Sequence, residues 1–131
     1  TLSGNPLSMA SGLAMLSALE SDKSFYENLG KRSQYLVNGI VSEAKAQNIP
    51  MTSNSVGGMF GLFFSSEKKV SNFTQASNCN IELFKKFYNA MLKQGIYLAP
   101  SAYEAGFLSN AHTDDDLDKT INAAATAFSL I

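Results

Sequence analysis

A few side chains in this sequence are of types that do chemistry, and their neighbours decide what each is suited to. Glu104 stands in "APSAYEAGF", residues 99–107, between two apolar stretches, with Ala105 and Gly106 keeping the chain thin beside it. Its carboxylate is either a solvated loop charge or a group aimed at a site, and the surrounding residues leave both open. His112 is the only histidine, so any Ser-His-Asp or Cys-His relay would have to run through it. It sits just before a helix start, where holding a turn is the simpler role. Thr113 and Asp116 have capping-box spacing, and Asp114 and Asp115 add negative charge where a helix dipole favours it. The aspartates have no second ligand cluster, so no metal site is expected. Cys79, the single cysteine, rules out an internal disulfide, and nothing beside it would lower its pKa as a nucleophile requires. At the other end, Thr1, Leu2, Ser3 and Gly4 approach a helix whose first amides point back toward them. That arrangement suits an anion such as phosphate, and it equally suits ordinary capping. No glycine-rich phosphate loop occurs, because "SVGGMFG" leads into a strand instead of a helix.

The elements that must position these residues follow from periodicity. Asn5 as cap and Pro6 at the first helical position open a helix carrying Leu13, Leu16 and Leu19. Ser8, Ala10, Ser11, Gly12 and Ala14 make one side of it thin, as close packing against a partner outside the chain would require. A second helix is predicted from Ser24 to Gln47, with Phe25, Leu29, Leu36, Ile40 and Ala44 on its buried stripe. The spacing then changes to that of strands over Met51–Asn54 and Met59–Phe64, joined by a turn at Gly57 and Gly58. After a polar loop from Ser65 to Asn80 comes a helix from Ile81 to Gln94, its apolar face formed by Phe84, Phe87, Tyr88, Met91 and Leu92, with Gly95 as its stop. "IYLAP", closed by Pro100, and "FLSNA" read as two more short strands on either side of Glu104. A last helix follows Thr113 and turns Leu117, Ile121, Ala124, Ala125, Phe128 and Ile131 inward. This order predicts an α+β domain, a small and mainly antiparallel sheet with helices packed on one face.

Composition narrows the function classes. With 131 residues the chain is one domain's worth, enough to bury about 65–70% of its unfolded surface. Ten basic against eleven acidic residues lack the excess that nucleic acid or an anionic membrane calls for. No apolar run approaches the roughly 18 residues of a spanning helix, no secretory signal precedes the first helix, and cysteine usage fits a reducing compartment, so a cytoplasmic location is expected.

The wording of several segments goes further. "TLSGNPLSMASGLAML", "GGMFGLFF" and "FYNAMLKQGIYLAPSAYEAGFLSNAHTDDDLDKTINAA" resemble, in the same order and spacing, the C-terminal part of the glutamate-1-semialdehyde 2,1-aminomutase family. That family belongs to the class III pyridoxal-phosphate aminotransferases. The resemblance covers essentially the whole chain; "LSGNP" points only to class III relatives, whereas "APSAYEAGF" followed by "SNAHTDDDLD" points to the mutase.

The resemblance implies the C-terminal domain of a fold-type I enzyme, with residues 1–22 as a linking helix from a large cofactor domain outside this chain and 23–131 as the small domain. It implies pyridoxal 5'-phosphate held mainly by that large domain, with Thr1 reaching the phosphate bound by a neighbouring subunit, helped by backbone near Leu2. The implied partners are a second copy, giving a homodimer, and the small-molecule substrate glutamate 1-semialdehyde, which becomes 5-aminolevulinate on the way to tetrapyrroles. The catalytic residue it implies here is Glu104. The lysine that binds the cofactor lies upstream of "TLSGNP" in this family, and none of the lysines from Lys23 to Lys119 occupies that place. The chain alone is therefore expected to be inactive. Many related aminotransferases clamp a substrate α-carboxylate with an arginine of this domain, yet this chain has only Arg32, far in sequence from the Glu104 loop. Another class III aminotransferase and a free-standing α+β binding module stand as the alternatives.

Overall fold

The computed structural model describes residues 3–131. Helix α1, Pro6–Ser21, begins as expected, with the Asn5 side chain accepting hydrogen bonds from the amides of Leu7 and Ser8. None of its residues is buried; Leu7 is 76% exposed and Leu13 68%. A helix this apolar on all sides normally has neighbours all round. Helix α2, Phe25–Ala46, buries Leu36, Val37, Ile40 and Ala44. Strands β1, Thr52–Val56, and β2, Met59–Phe63, form the expected hairpin, with Thr52 opposite Phe63 and Val56 opposite Met59. Helix α4, Ile81–Lys93, buries Phe84, Phe87 and Met91, and ends at Gly95, whose φ of +80° suits a residue without a side chain. Helix α5, Asp114–Phe128, opens with the complete capping box of Thr113 and Asp116.

Alternation along β2 puts Phe60 on the helical side together with Leu62. There Phe64 meets Phe84, Phe87 and Phe128, and the rings of Phe87 and Phe128 stack 4.7 Å apart. Ile121 of α5 fits against Gly39 of α2, where an added Cβ would come within 2.8 Å of its Cγ1. This packing makes α2, α4 and α5 the layer over one face of an antiparallel sheet of order β1-β2-β3, where β3 is Gly106–Phe107, and the α+β architecture read from the sequence is the one observed.

Three details of the strands differ from expectation, and one of the polar loop. The first strand lies at Thr52–Val56 instead of Met51–Asn54. "IYLAP" is not a strand: the Ile96 amide donates to the Met91 carbonyl to finish α4, and a cavity separates residues 96–99 from the next strand. Backbones held apart by a cavity cannot reach the roughly 4.8 Å spacing of paired strands. "FLSNA" contracts to β3, Gly106–Phe107, which pairs with Phe60 and Met59, because beyond Leu108 the backbone enters a turn. Within the polar loop a short helix α3, Phe73–Ser77, is capped by Asn72.

The stretch before α3 runs beside β1. Thr52 Oγ1 donates to the Lys68 carbonyl and Asn54 Nδ2 to the Val70 carbonyl, with Val70 itself buried.

Candidate functional site

Pro100 and Ser101 start the segment that carries Glu104. The Ser101 carbonyl accepts from the Glu104 amide at 3.1 Å, and its hydroxyl accepts from the Tyr103 amide at 3.2 Å, so the chain is folded into a turn. Gly106 then brings the backbone back onto β2, where an added Cβ would stand 2.5 Å from Phe60 Cε2. Leu108 is buried, and its amide donates to the Gly58 carbonyl at 2.7 Å. Glu104 is thus fixed at its base by turn and sheet, while its side chain is exposed.

Two concavities meet at this residue. One, of about 250 Å³, lies between residues 96–99, β3 and the start of α5, with Leu98, Phe107, His112, Asp116 and Leu117 in its wall. The other, of about 500 Å³, lies on the side of the sheet away from α2, α4 and α5, between Val56, Met59, Phe63 and Phe73 of α3. Phe73 and Tyr103, both in its wall, pack against each other with ring centroids 6.0 Å apart. Glu104 lines both, and neither is lined by a lysine or arginine among the described residues. Its carboxylate has no ion-pair partner among those residues.

Arg32 is engaged elsewhere. Its Nε donates to Asp114 Oδ1 at 2.9 Å, and a second guanidinium nitrogen donates to the His112 carbonyl. A guanidinium fixed in this way is not free to clamp a substrate carboxylate. His112 does hold the turn: its Nδ1 accepts from the Ser109 amide at 3.0 Å, and its own amide donates to the Ser109 carbonyl. Asp116 accepts from the Thr113 backbone and hydroxyl, and these bonds, the backbone one foremost, hold its carboxyl below the usual range. Burial pushes the Cys79 thiol up, as befits an inert cysteine. Among the described residues no His, Cys, Asp and Glu cluster is arranged to hold a metal, and no helix is long and apolar enough to cross a membrane.

Thr1 and Leu2, the expected phosphate contacts, lie outside the described residues. Sequence reasoning missed the Phe73–Tyr103 pair, since Phe73 fell in an apparently featureless loop. The signal was Asn72, an N-cap residue just before it.

No family model matches this sequence. Its shape does match solved proteins. An ω-transaminase from Sphaerobacter thermophilus superimposes with a TM-score of 0.78 at 18% identity, covering 98% of this chain and 29% of that one. A transaminase with PLP bound gives 0.74 at 21% identity, covering 96% of this chain and 27% of that one. A β-phenylalanine aminotransferase from Variovorax paradoxus gives 0.68 at 19% identity, over 78% and 23%. The fold is that of a transaminase part. This chain spans less than a third of the length of each of these proteins.

Proposed function

We propose that this chain is the small C-terminal domain of a pyridoxal-phosphate enzyme of the glutamate-1-semialdehyde 2,1-aminomutase type. The observation that carries the reading is Glu104, a carboxylate without an ion-pair partner among the described residues, fixed at the meeting of two concavities in a domain whose sole arginine is already engaged. The mutase wording around Glu104 and the transaminase shape of the whole chain support it.

The described residues fit one wall of a cofactor site and not its cradle. A phosphate needs cations or converging N–H donors, and the two concavities at Glu104 present a carboxylate instead. Holding pyridoxal phosphate is therefore assigned to a large domain outside this chain, together with Thr1 and the backbone at Leu2. The cofactor supplies the electron sink.

Glu104 attracts the ammonium group of a substrate entering beside it and disfavours a carboxylate at the same place. An amino aldehyde satisfies both conditions at its reacting end; an α-amino acid needs an arginine that this domain does not offer. Ala102, Tyr103, Phe107 and Leu108 give the two concavities beside the carboxylate an apolar lining. Helix α1, apolar and uncovered, supports a role as the link to the large domain and to the second subunit of a homodimer.

Replacing Glu104 by Gln in the full-length enzyme tests the reading. Turnover of glutamate 1-semialdehyde to 5-aminolevulinate falls by about 100-fold, the scale of removing one positioned proton-handling group, while the unfolding midpoint stays put. Unchanged turnover at unchanged stability refutes the catalytic role. The likeness to an ω-transaminase favours a second reading, a class III enzyme acting on an ω-amine. Formation of 5-aminolevulinate without an added amino acceptor separates the two.

A further inference from the structure

We infer that Arg32 is a positioning residue for Glu104, acting through the turn that walls the smaller cavity; the inference rests on the functional reading above. The Arg32 side chain is only 22% exposed, and it reaches from α2 to the beginning of α5 across 80 positions of sequence. Two features argue that it serves the turn more than helix formation. Asp114 is 90% exposed, so this ion pair adds little to stability in water. Helix α5 also has its own start in the Thr113–Asp116 capping box and does not need Arg32 to begin. The bond to the His112 carbonyl, in contrast, fixes backbone.

That backbone has few other anchors. Ser109 to His112 is closed on itself by the Ser109 amide on His112 Nδ1, the Ala111 amide on Ser109 Oγ and the His112 amide on the Ser109 carbonyl. Its ties outward are the Leu108 amide to Gly58 on the strand side and Arg32 on the helix side. His112 and Glu104 line the same cavity, on either side of β3. Releasing the turn at Arg32 leaves β3, a strand of two residues, as the remaining restraint between the turn and the Glu104 loop.

The test uses the full-length enzyme carrying this domain, with Arg32→Ala, Arg32→Lys, Glu104→Gln and both double variants. Arg32→Ala is expected to lower kcat by about tenfold or more, as a small misplacement of a reacting group does, with KM within about twofold and the unfolding midpoint close to the parent. Arg32→Lys, which keeps the charge but not the fork, recovers part of the loss. The decisive readout is the cycle: in the Glu104→Gln background neither Arg32 variant lowers kcat further, because its target is already gone. An undiminished kcat in Arg32→Ala, or the same fold-loss in both backgrounds, overturns the inference. Should Arg32→Ala fail to fold, the Arg32→Lys cycle decides on the same terms. Unchanged turnover in Glu104→Gln removes both the functional reading and this inference; a slowed Glu104→Gln beside an unaffected Arg32→Ala removes only the inference.

Discussion

Gly106 joins the Glu104 loop to the sheet, and replacing it by alanine measures how tightly that junction is packed. A Cβ at this position would lie 2.5 Å from Phe60 Cε2 and closer still to Cζ, whereas ordinary contacts begin near 3.4 Å, so the ring must retreat by at least about 0.9 Å. Phe60 is 7% exposed and belongs to the core, so the ring has little room to move. Overpacking of this kind costs about 1–3 kcal/mol. Alanine recovers about 0.4–1 kcal/mol by restricting the unfolded chain, leaving a net loss of roughly 1–2 kcal/mol. For a domain of this size each kcal/mol lowers the midpoint by about 4 °C, so Gly106→Ala should melt roughly 4–8 °C early. Thermal unfolding followed by circular dichroism gives the midpoint, and hydrogen exchange at the Phe60 and Phe107 amides localises the change. Measured on this chain by itself, Gly12→Ala is the control: nothing lies within 4 Å of its added Cβ, and it sits on exposed α1, so the midpoint holds or rises. A Gly106→Ala midpoint within 1 °C of the parent refutes the packing argument.

Thr113→Ala removes the cap of α5 and lowers stability by about 1 kcal/mol, measured by urea unfolding at neutral pH. Because the folded-state pKa of Asp116 is depressed, its contribution is present above the unfolded value near 4 and is lost as pH falls through the folded value. Asp116→Asn should therefore flatten the decline of the midpoint below about pH 4, and an acid decline identical to the parent's would count against the assignment. Cys79 should alkylate with iodoacetamide more slowly in the folded protein than in urea, since partial burial raises its pKa; equal rates would contradict that shielding.

The helices were legible because their information is local. Asn5 before Pro6, and Thr113 three residues before Asp116, each announce a helix start that the structure shows. The limits of such reasoning appear at Leu92, assigned to the buried face of α4 yet 45% exposed, since periodicity gives the stripe but not its edges. Strands were read less well. Whether "IYLAP" pairs depends on where β3 lies, and that is decided by the fit of Gly106 on Phe60, a contact between residues far apart in sequence. The same holds for the site. Glu104 stood out by its loop, but the engagement of Arg32 by Asp114 and His112 has no local signature.

The strap beside β1 has a consequence for how copies of this chain meet when crowded. An open strand edge is a template for runaway stacking, and here the side chains of Thr52 and Asn54 hold residues 68–70 across one edge. The opposite edge, β3, is two residues long and too short to seed a ladder. A three-stranded sheet guarded at one margin and truncated at the other is poorly suited to amyloid-like growth, even with Val56 and Phe107 in the open.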